Sequence, residues 1–377
     1  MKKMYVLILV LIFCSSLIIL GADIPDEPIP PKAYVLMEAE TGTVLEEENY
    51  DERINIGYLS KLMSLLLIAE DIETGKYKLS DELTASSNVT GTKGSVVWLE
   101  SGDKMTVDEL LKSVIIGNAN DALTVLAEKS EQTIEKFVMR MNSEAFDYGM
   151  RDTAFYSPYG YYDKREFSTA HDIAVACQKL YEYEFLYSYF STWRDFVKNN
   201  SVELVNENVL SRTYDAHIGF KAVHSDETGF SIAECGRNSK GISCIAVVLS
   251  ADNEDDMYDT ARKLLKKGYN QYSVTSTMFP DEMIKPLKVL NGESKYVCIA
   301  LERQRGIAVN RNEKTLKTKV VIPDFVEAPV ERGQRIGTAG FYSGKTLVYE
   351  SPIVTKNAVN KLTYSYIISK ILYNLPQ

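Results

Sequence analysis

Lys61 is the residue whose type and position most clearly suggest chemistry. It stands near the start of a predicted helix, beginning at about residue 59, in which apolar residues occur on every side. Such a helix is buried all round, and a buried ammonium costs free energy unless it has a partner. Lys61 therefore either lines a cleft with a partner or buries only its aliphatic stem and keeps its amine in water.

The segments around Lys61 carry a family resemblance. Residues 33–45, Asn49, residues 51–53 and the run Lys61-Leu62-Met63-Ser64 together resemble the opening of the serine D-alanyl-D-alanine carboxypeptidases, the low-molecular-mass penicillin-binding proteins. That family carries Ser-x-x-Lys here, in which the serine attacks a peptide carbonyl and the lysine manages its proton from the same helix face. In this chain the serine position is Tyr58. The resemblance thus implies an enzyme fold without its nucleophile.

Other residues are poor replacements for the missing serine. Tyr58 has a hydroxyl, but its reference pKa near 10 and its long rigid ring place the oxygen far from where a serine oxygen would lie. Ser60 would point to a different face of the helix. Ser101 and Lys104 also match Ser-x-x-Lys, but they fall in a polar turn instead of at a buried helix start. We therefore predict that acyl-serine catalysis is lost.

The resemblance assigns two further motifs. The family's Ser-x-Asn, which relays a proton toward the leaving amine and positions the substrate amide, corresponds to Asn118-Ala119-Asn120. An amide cannot relay a proton as a hydroxyl can. The family's Lys-Thr-Gly, an edge-strand motif that holds the substrate's terminal carboxylate, corresponds to Lys221-Ala222-Val223, where Val223 puts a branched side chain into an open groove. We expect Lys61, Asn120 and Lys221 to form a cationic cleft for an anionic peptide end.

The elements that must position these residues are indicated by local patterns. Residues 40–43 separate two alternating segments and predict a hairpin. Thr106 and Glu109 form a capping-box pattern that starts a helix ending near Gly117. Other helices are predicted from Asp121, over about 131–148, from Ser168 and over about 255–269, and strands over about 217–222, 228–235 and 242–249.

The resemblance implies an α/β (α+β) chain with the penicillin-binding protein/β-lactamase-like transpeptidase fold and a small C-terminal β domain. It is strong over about residues 32–270 and looser beyond them. We predict a D,D-carboxypeptidase-like domain over 32–272, a β-rich domain over 276–355 and an amphipathic helix over 356–377. That helix either lies in a membrane interface or docks on the β domain.

The N-terminus is typical of an exported protein. A basic start precedes an apolar stretch from Met4 to Leu20, so residues 1–22 form either a cleaved secretory signal or an N-terminal anchor. Residues 23–31 hold four prolines, as an extended tether does. We therefore place the protein at the extracytoplasmic face of a bacterial cytoplasmic membrane, held by the anchor or by the C-terminal helix.

Composition excludes several other function classes. The formal net charge of −10 argues against a nucleic-acid partner. Three histidines without ligand spacing argue against a metal site or a histidine-dependent triad, and no cofactor is implied. Cys235 and Cys244 flank a turn and either form a disulfide across a hairpin or remain free, as buried thiols in a large core usually do.

Three functions are consistent with these residues. The leading hypothesis is a catalytically inactive D-alanyl-D-alanine carboxypeptidase-like protein that binds a peptidoglycan stem peptide or a wall-synthesis protein. The first alternative is active or residual trimming of stem peptides, for instance through a water molecule assisted by Lys61. The second alternative is a scaffold that acts through its C-terminal β domain.

Overall fold

The computed structural model describes residues 33–276, 283, 285–302, 306–310 and 316–373. The predicted signal or anchor over 1–22 and the tether over 23–31 lie outside the described residues. The mixed α/β architecture agrees with the fold class expected from the sequence.

A five-stranded antiparallel sheet carries the larger part of the chain. The bounds of its strands are β1 Ala33–Glu38, β2 Val44–Glu48, β7 His217–Ser225, β8 Gly229–Arg237 and β9 Ser243–Ala251. The strand order is β2-β1-β9-β8-β7, so the predicted N-terminal hairpin pairs with a later three-stranded meander. Strand β7 lies at one edge of the sheet.

Both faces of this sheet are buried, and each packs on its own core. Successive residues of a strand point to opposite faces, so they belong to different cores. On β1, Val35 and Met37 belong to a core shared with most of the helices, whereas Leu36 belongs to a second core shared with the helix that follows β9. The helices are α1 Lys61–Glu73, α2 Val107–Ile115, α3 Asn120–Glu131, α4 Ile134–Asp147, α5 Ala170–Tyr181, α6 Tyr187–Phe190, α7 Leu210–Thr213 and α8 Glu254–Gln271.

Helix α1 is buried as its apolar pattern predicts. Ten of its 13 residues are buried, including Lys61. Helix α2 begins with the predicted capping box, in which the Thr106 hydroxyl accepts the Glu109 N–H at 3.2 Å and the Glu109 carboxylate accepts the Thr106 N–H at 3.1 Å. Two short hairpins complete this part, with strands β3 Glu82–Thr84, β4 Lys104–Thr106, β5 Arg194–Val197 and β6 Val202–Val205.

The chain beyond α8 is rich in β-strands and has its own core, which includes Ile307, Phe341 and Ile353. The strands are β10 Tyr272–Ser276, β11 Leu287–Leu290, β12 Tyr296–Val297, β13 Ile299–Leu301, β14 Gly306–Asn310, β15 Leu316–Val321, β16 Phe325–Glu327, β17 Arg335–Ser343 and β18 Thr346–Thr355. The largest described sheet of this part has the order β13-β18-β17-β15.

The predicted C-terminal helix is shorter than 356–377. Helix α9 spans Tyr364–Tyr373, because the preceding backbone is used by the β-rich part. Val359 forms a bridge with Val330, and the Leu362 N–H donates to the Asn291 carbonyl at 2.7 Å. None of the described residues of α9 is buried. Within the described residues, no helix combines the length and apolar content that crossing a bilayer requires.

The cysteine thiols of the described chain are free. Cys177, Cys235 and Cys244 are buried and Cys298 is exposed. Cys235 lies opposite Ile245 in the ladder, and Cys244 lies opposite Gly236. The hairpin therefore carries no disulfide, and burial raises the pKa of the Cys244 thiol to about 12.

Candidate active site

The turn before helix α1 places Tyr58 directly over Lys61. The turn spans Gly57–Ser60, and Gly57 adopts the left-handed backbone conformation with φ +50°. The Lys61 Nζ lies 5.2 Å from the centroid of the Tyr58 ring, within the range of a cation–π contact. Lys61 is only 1% exposed. The aromatic ring therefore lies against the amine that the resemblance identifies as the proton carrier.

A loop from the neighbouring segment presses on this turn. Gly160 lies so close that a Cβ atom built on it would be 2.1 Å from the Gly57 carbonyl oxygen and 2.6 Å from the Tyr58 Cα. Only glycine fits at such a contact. Behind the turn, the buried Ser60 hydroxyl donates to the Glu166 carboxylate at 2.7 Å. The position of the Tyr58 backbone is thus fixed from two sides.

Lys61 is buried together with its amine, so the second of the two alternatives read from the sequence, an amine kept in water, is wrong. Its Nζ donates to the carbonyl oxygen and to the side-chain Oδ1 of Asn118, both at 2.8 Å. Asn118 has φ +57°, a left-handed conformation that asparagine tolerates better than most residues. Its amide nitrogen donates to Glu207 Oε2 at 3.0 Å. Asn118 therefore bridges a buried lysine and an exposed carboxylate.

Lys221 is also turned inward. Its Nζ donates to the carbonyl oxygens of Ile115 at 3.0 Å and Val114 at 3.3 Å, at the C-terminal end of helix α2. A cation at this end interacts favourably with the unpaired helix carbonyls. Lys221 is 6% exposed. It thus ties the edge strand β7 to the helix that leads into the Asn118 loop.

Burial governs the protonation of both lysines. Burial, together with repulsion from Lys221, lowers the pKa of Lys61 well below its ordinary value, against a smaller opposing attraction from Glu207. Burial lowers the pKa of Lys221 to about 8, again opposed by Glu207. The two amines therefore hold their protons less tightly than free lysines do.

Asn120 lies at the start of helix α3 and is fully buried. Its amide nitrogen donates to the Lys93 carbonyl at 2.7 Å and lies 3.4 Å from the Tyr161 hydroxyl. Its Oδ1 has no hydrogen-bond partner among the described residues. The next residue, Asp121, accepts the N–H groups of Val97 and Leu99 and so holds the facing loop. The second motif is firmly positioned even where its chemistry is changed.

The two substituted positions of the third motif enter opposite cores. Ala222 packs with the core beside helix α8, and Val223 packs with the core that contains α1. Neither carries a hydroxyl or leaves the open space expected of Thr-Gly. The Lys61 and Lys221 amines both donate to internal oxygen atoms, and the cationic cleft expected from the sequence stays a prediction.

The structure brings most of the predicted site residues together and adds two. Lys61, Asn118 and Glu207 form one hydrogen-bonded network, and Lys221 lies near enough to lower the pKa of Lys61. Glu166 had no sequence signal, since it pairs with Ser60 across 106 positions; burial raises its pKa to about 7. Lys104 forms an exposed ion pair with Glu82, away from this network. No group of His, Cys, Asp and Glu suited to a metal ion occurs among the described residues.

Three features meet beside an antiparallel sheet that is covered by helices: a lysine at the start of a helix, a loop with an asparagine, and a lysine on the edge strand. This arrangement defines the class of serine-type D,D-peptidases and penicillin-binding proteins. Comparison with known proteins agrees. The family model D-alanyl-D-alanine carboxypeptidase matches residues 22–253, and the model of the penicillin-binding protein 5 C-terminal domain matches residues 272–361. The chain therefore belongs to the D-alanyl-D-alanine carboxypeptidase family.

Similar proteins are found among sequences and solved structures. The chain is 29% identical to D-alanyl-D-alanine carboxypeptidase DacF of Bacillus subtilis (strain 168), over 88% of this chain and 86% of that protein. It is 26% identical to the carboxypeptidase DacC of Escherichia coli (strain K12), over 87% and 84% of the two chains. The crystal structure of penicillin-binding protein 5 from Haemophilus influenzae shares the fold with a TM-score of 0.79 at 23% identity, covering 88% of this chain and 98% of that chain.

Proposed function

We propose that this family member acts in peptidoglycan metabolism without acyl-serine catalysis, as a protein that binds a cell-wall peptide or a wall-synthesis partner. The observation that carries the proposal is the placement of Tyr58. Its ring occupies the nucleophile position and lies 5.2 Å from the Lys61 amine. That amine donates its hydrogen bonds to Asn118. An incoming peptide carbonyl would meet an aromatic ring where the family presents a serine.

The expected loss of rate is large. Removing a covalent nucleophile lowers turnover by about 10⁴- to 10⁶-fold, roughly 5 to 8 kcal/mol of transition-state stabilisation. Asn118 in place of the relay serine adds to this loss, because its side-chain oxygen and nitrogen are both engaged in hydrogen bonds. The proposal thus rests on two substitutions at the site and not on one.

The test is to incubate the full chain with a fluorescent penicillin and to follow D-alanine release from a D-alanyl-D-alanine pentapeptide in parallel. We expect neither a covalent adduct nor release. An active family member with Ser-x-x-Lys is the positive control for both reagents. A penicillin adduct on Tyr58, or on any other residue of the site, would overturn the proposal.

The same assay addresses residual hydrolysis, the alternative in which Lys61 assists a water molecule. That alternative predicts slow D-alanine release without an adduct, and loss of the release in Lys61→Ala. Release that persists in Lys61→Ala would exclude Lys61 as its source. In the described structure the amine is covered, which favours the non-catalytic proposal.

We further propose that the protein works at the extracytoplasmic face of the cytoplasmic membrane. The substrate class of the family lies there, and helix α9 exposes Ile368, Ile371 and Leu372, each at more than half of its full surface. These side chains are suited to a membrane interface. Full-length Ile371→Glu and Leu372→Glu variants should release the protein from vesicles, whereas Ser369→Glu on the same helix serves as the control. Equal vesicle binding by all three variants would leave the N-terminal segment as the anchor.

A further inference from the structure

A cavity of about 380 Å³ lies beside the edge strand β7, next to the network of Lys61 and Asn118. Ala222 and Met257, which belong to the core beside helix α8, form its apolar floor. Glu207 and Glu254 supply its charge, and His224 with Phe230 supplies an aromatic wall. The cavity is therefore concave, and its lining is more polar than apolar.

The charge of this cavity is opposite to what the family resemblance implies. The corresponding edge of active relatives is expected to hold a substrate carboxylate through a lysine. Here Lys221 points inward to Ile115 and Val114, and the lining residues comprise two carboxylates and neither lysine nor arginine. An anionic group entering this space would be repelled, whereas a cation would be attracted.

The aromatic side chains are placed to favour a cation as well. The His224 and Phe230 rings stack with centroids 4.1 Å apart. The Tyr258 hydroxyl donates to the Glu207 carbonyl and accepts the Val209 N–H, each at 3.2 Å, which fixes the backbone that carries the Glu207 carboxylate. Aromatic faces attract ammonium groups, and alkyl stems pack against apolar walls.

We infer that this cavity binds an alkyl ammonium group, such as the side-chain amine of a peptide residue, and not a peptide carboxylate. The inference rests on the proposed peptide-binding function and adds the chemical class of the recognised group. Two carboxylates neutralise the ammonium, the aromatic wall contacts it, and the alkyl stem lies over the floor formed by Ala222 and Met257. Ala222, which stands at the family's threonine position, thus becomes part of a different site.

The test uses two matched probes, Nα-acetyl-lysine methylamide and Nα-acetyl-norleucine methylamide, titrated into the full chain by ligand-observed NMR at low salt and pH 8. The lysine probe should bind at least about fivefold more tightly than the norleucine probe, and its binding should weaken as salt is raised. Glu207→Gln and Glu254→Gln should each weaken lysine binding by about three- to tenfold. Glu227→Gln, at the exposed turn after β7 and outside the cavity, should change it less than twofold.

Equal affinity for the two probes, no binding of either, or unchanged affinity in both cavity variants would overturn the inference. Circular dichroism of each variant verifies folding, and both cavity carboxylates are on exposed residues, so their replacement leaves the cores intact. The penicillin experiment distinguishes a failure of the proposed function from a failure of the inferred ligand class. A penicillin adduct overturns the proposed function, whereas equal probe binding without an adduct overturns only the identity of the recognised group.

Discussion

The two ends of helix α1 bury charge in opposite ways. At the C-terminal end, Asp71 accepts Arg140 Nη1 at 2.7 Å and Ser130 Oγ at 2.6 Å, and Arg140 also contacts Glu70 and Glu131. At the N-terminal end, the Lys61 amine contacts neutral oxygens of Asn118 and the Tyr58 ring.

This difference distinguishes two kinds of buried charge. The Arg140–Asp71 pair supports the fold, whereas Lys61 stands at the position where the family's reaction uses a lysine. A buried ion with counter-charges can be nearly neutral for stability, whereas a buried ion without them is costly. Stability alone therefore gives no reason for an ammonium at position 61. Proton transfer does, because a lysine that works as a base needs a lowered pKa, which burial without a counter-ion provides.

The largest expected effect is at the compensated end. Arg140→Met leaves Asp71, whose side chain is 4% exposed, without its main counter-charge. Breaking a buried pair in this way costs about 3 to 5 kcal/mol, measured as the free energy of unfolding in urea. Arg165→Met, which removes an exposed ion pair with Asp163, should change the free energy of unfolding far less, because solvent screens this pair. Equal effects of the two substitutions would remove the distinction between the two classes of charge.

The next effect is a rise of stability with pH, caused by Lys221. Its pKa of about 8 in the folded chain lies below the ordinary 10.5. Between these values the unfolded chain binds one proton more than the folded chain, so the unfolded state becomes less favourable as pH rises. Between pH 8 and 9.5 the contribution of Lys221 to the free energy of unfolding should increase by about 2 kcal/mol. Lys221→Met should remove this contribution and leave that of Lys61, whose pKa is also lowered, whereas Lys240→Met, in an exposed turn, should leave the slope unchanged. A slope that Lys221→Met does not change would refute the assignment.

Replacing the uncompensated lysine should matter less than replacing the compensated arginine. Lys61→Met removes two hydrogen bonds to Asn118 but also removes the desolvated charge, and these contributions nearly offset each other. We expect a change in unfolding free energy within about 1 kcal/mol. A loss of about 3 kcal/mol or more would show that Lys61 supports the fold as Arg140 does, and the comparison of the two ends would fail.

The smallest expected effect is that of the Tyr58 hydroxyl. It makes no hydrogen bond among the described residues, so Tyr58→Phe should change the unfolding free energy by less than about 0.5 kcal/mol and leave Lys61 covered. Tyr58→Ala should uncover the amine and increase its labelling by an amine-reactive reagent, read out by mass spectrometry of the Lys61 peptide. Equal labelling in the Phe and Ala variants would mean that the ring does not shield the lysine.

Local signals predicted the scaffold well, because they depend on neighbouring residues. The capping box of Thr106 and Glu109 and the all-round apolar pattern of α1 both appear as expected. The contacts that define the site join residues far apart in the chain, as in the pairing of Asn118 with Glu207 across 89 positions. The sequence could align these residues with a family but could not show that the amines turn inward. Likewise, helix α9 begins later than its pattern predicts, because Val359 and Leu362 pair with the β-rich part.

The contact of Gly160 with the Tyr58 turn distinguishes a requirement of the backbone from a requirement of the chemistry at the same site. Any side chain at position 160 would collide with backbone atoms, whatever residue occupies position 58. The fold itself therefore requires glycine at this position, independently of any reaction at the site. The backbone shape of the site and the chemistry of its side chains are thus set by separate constraints, and a change in one leaves the other in place.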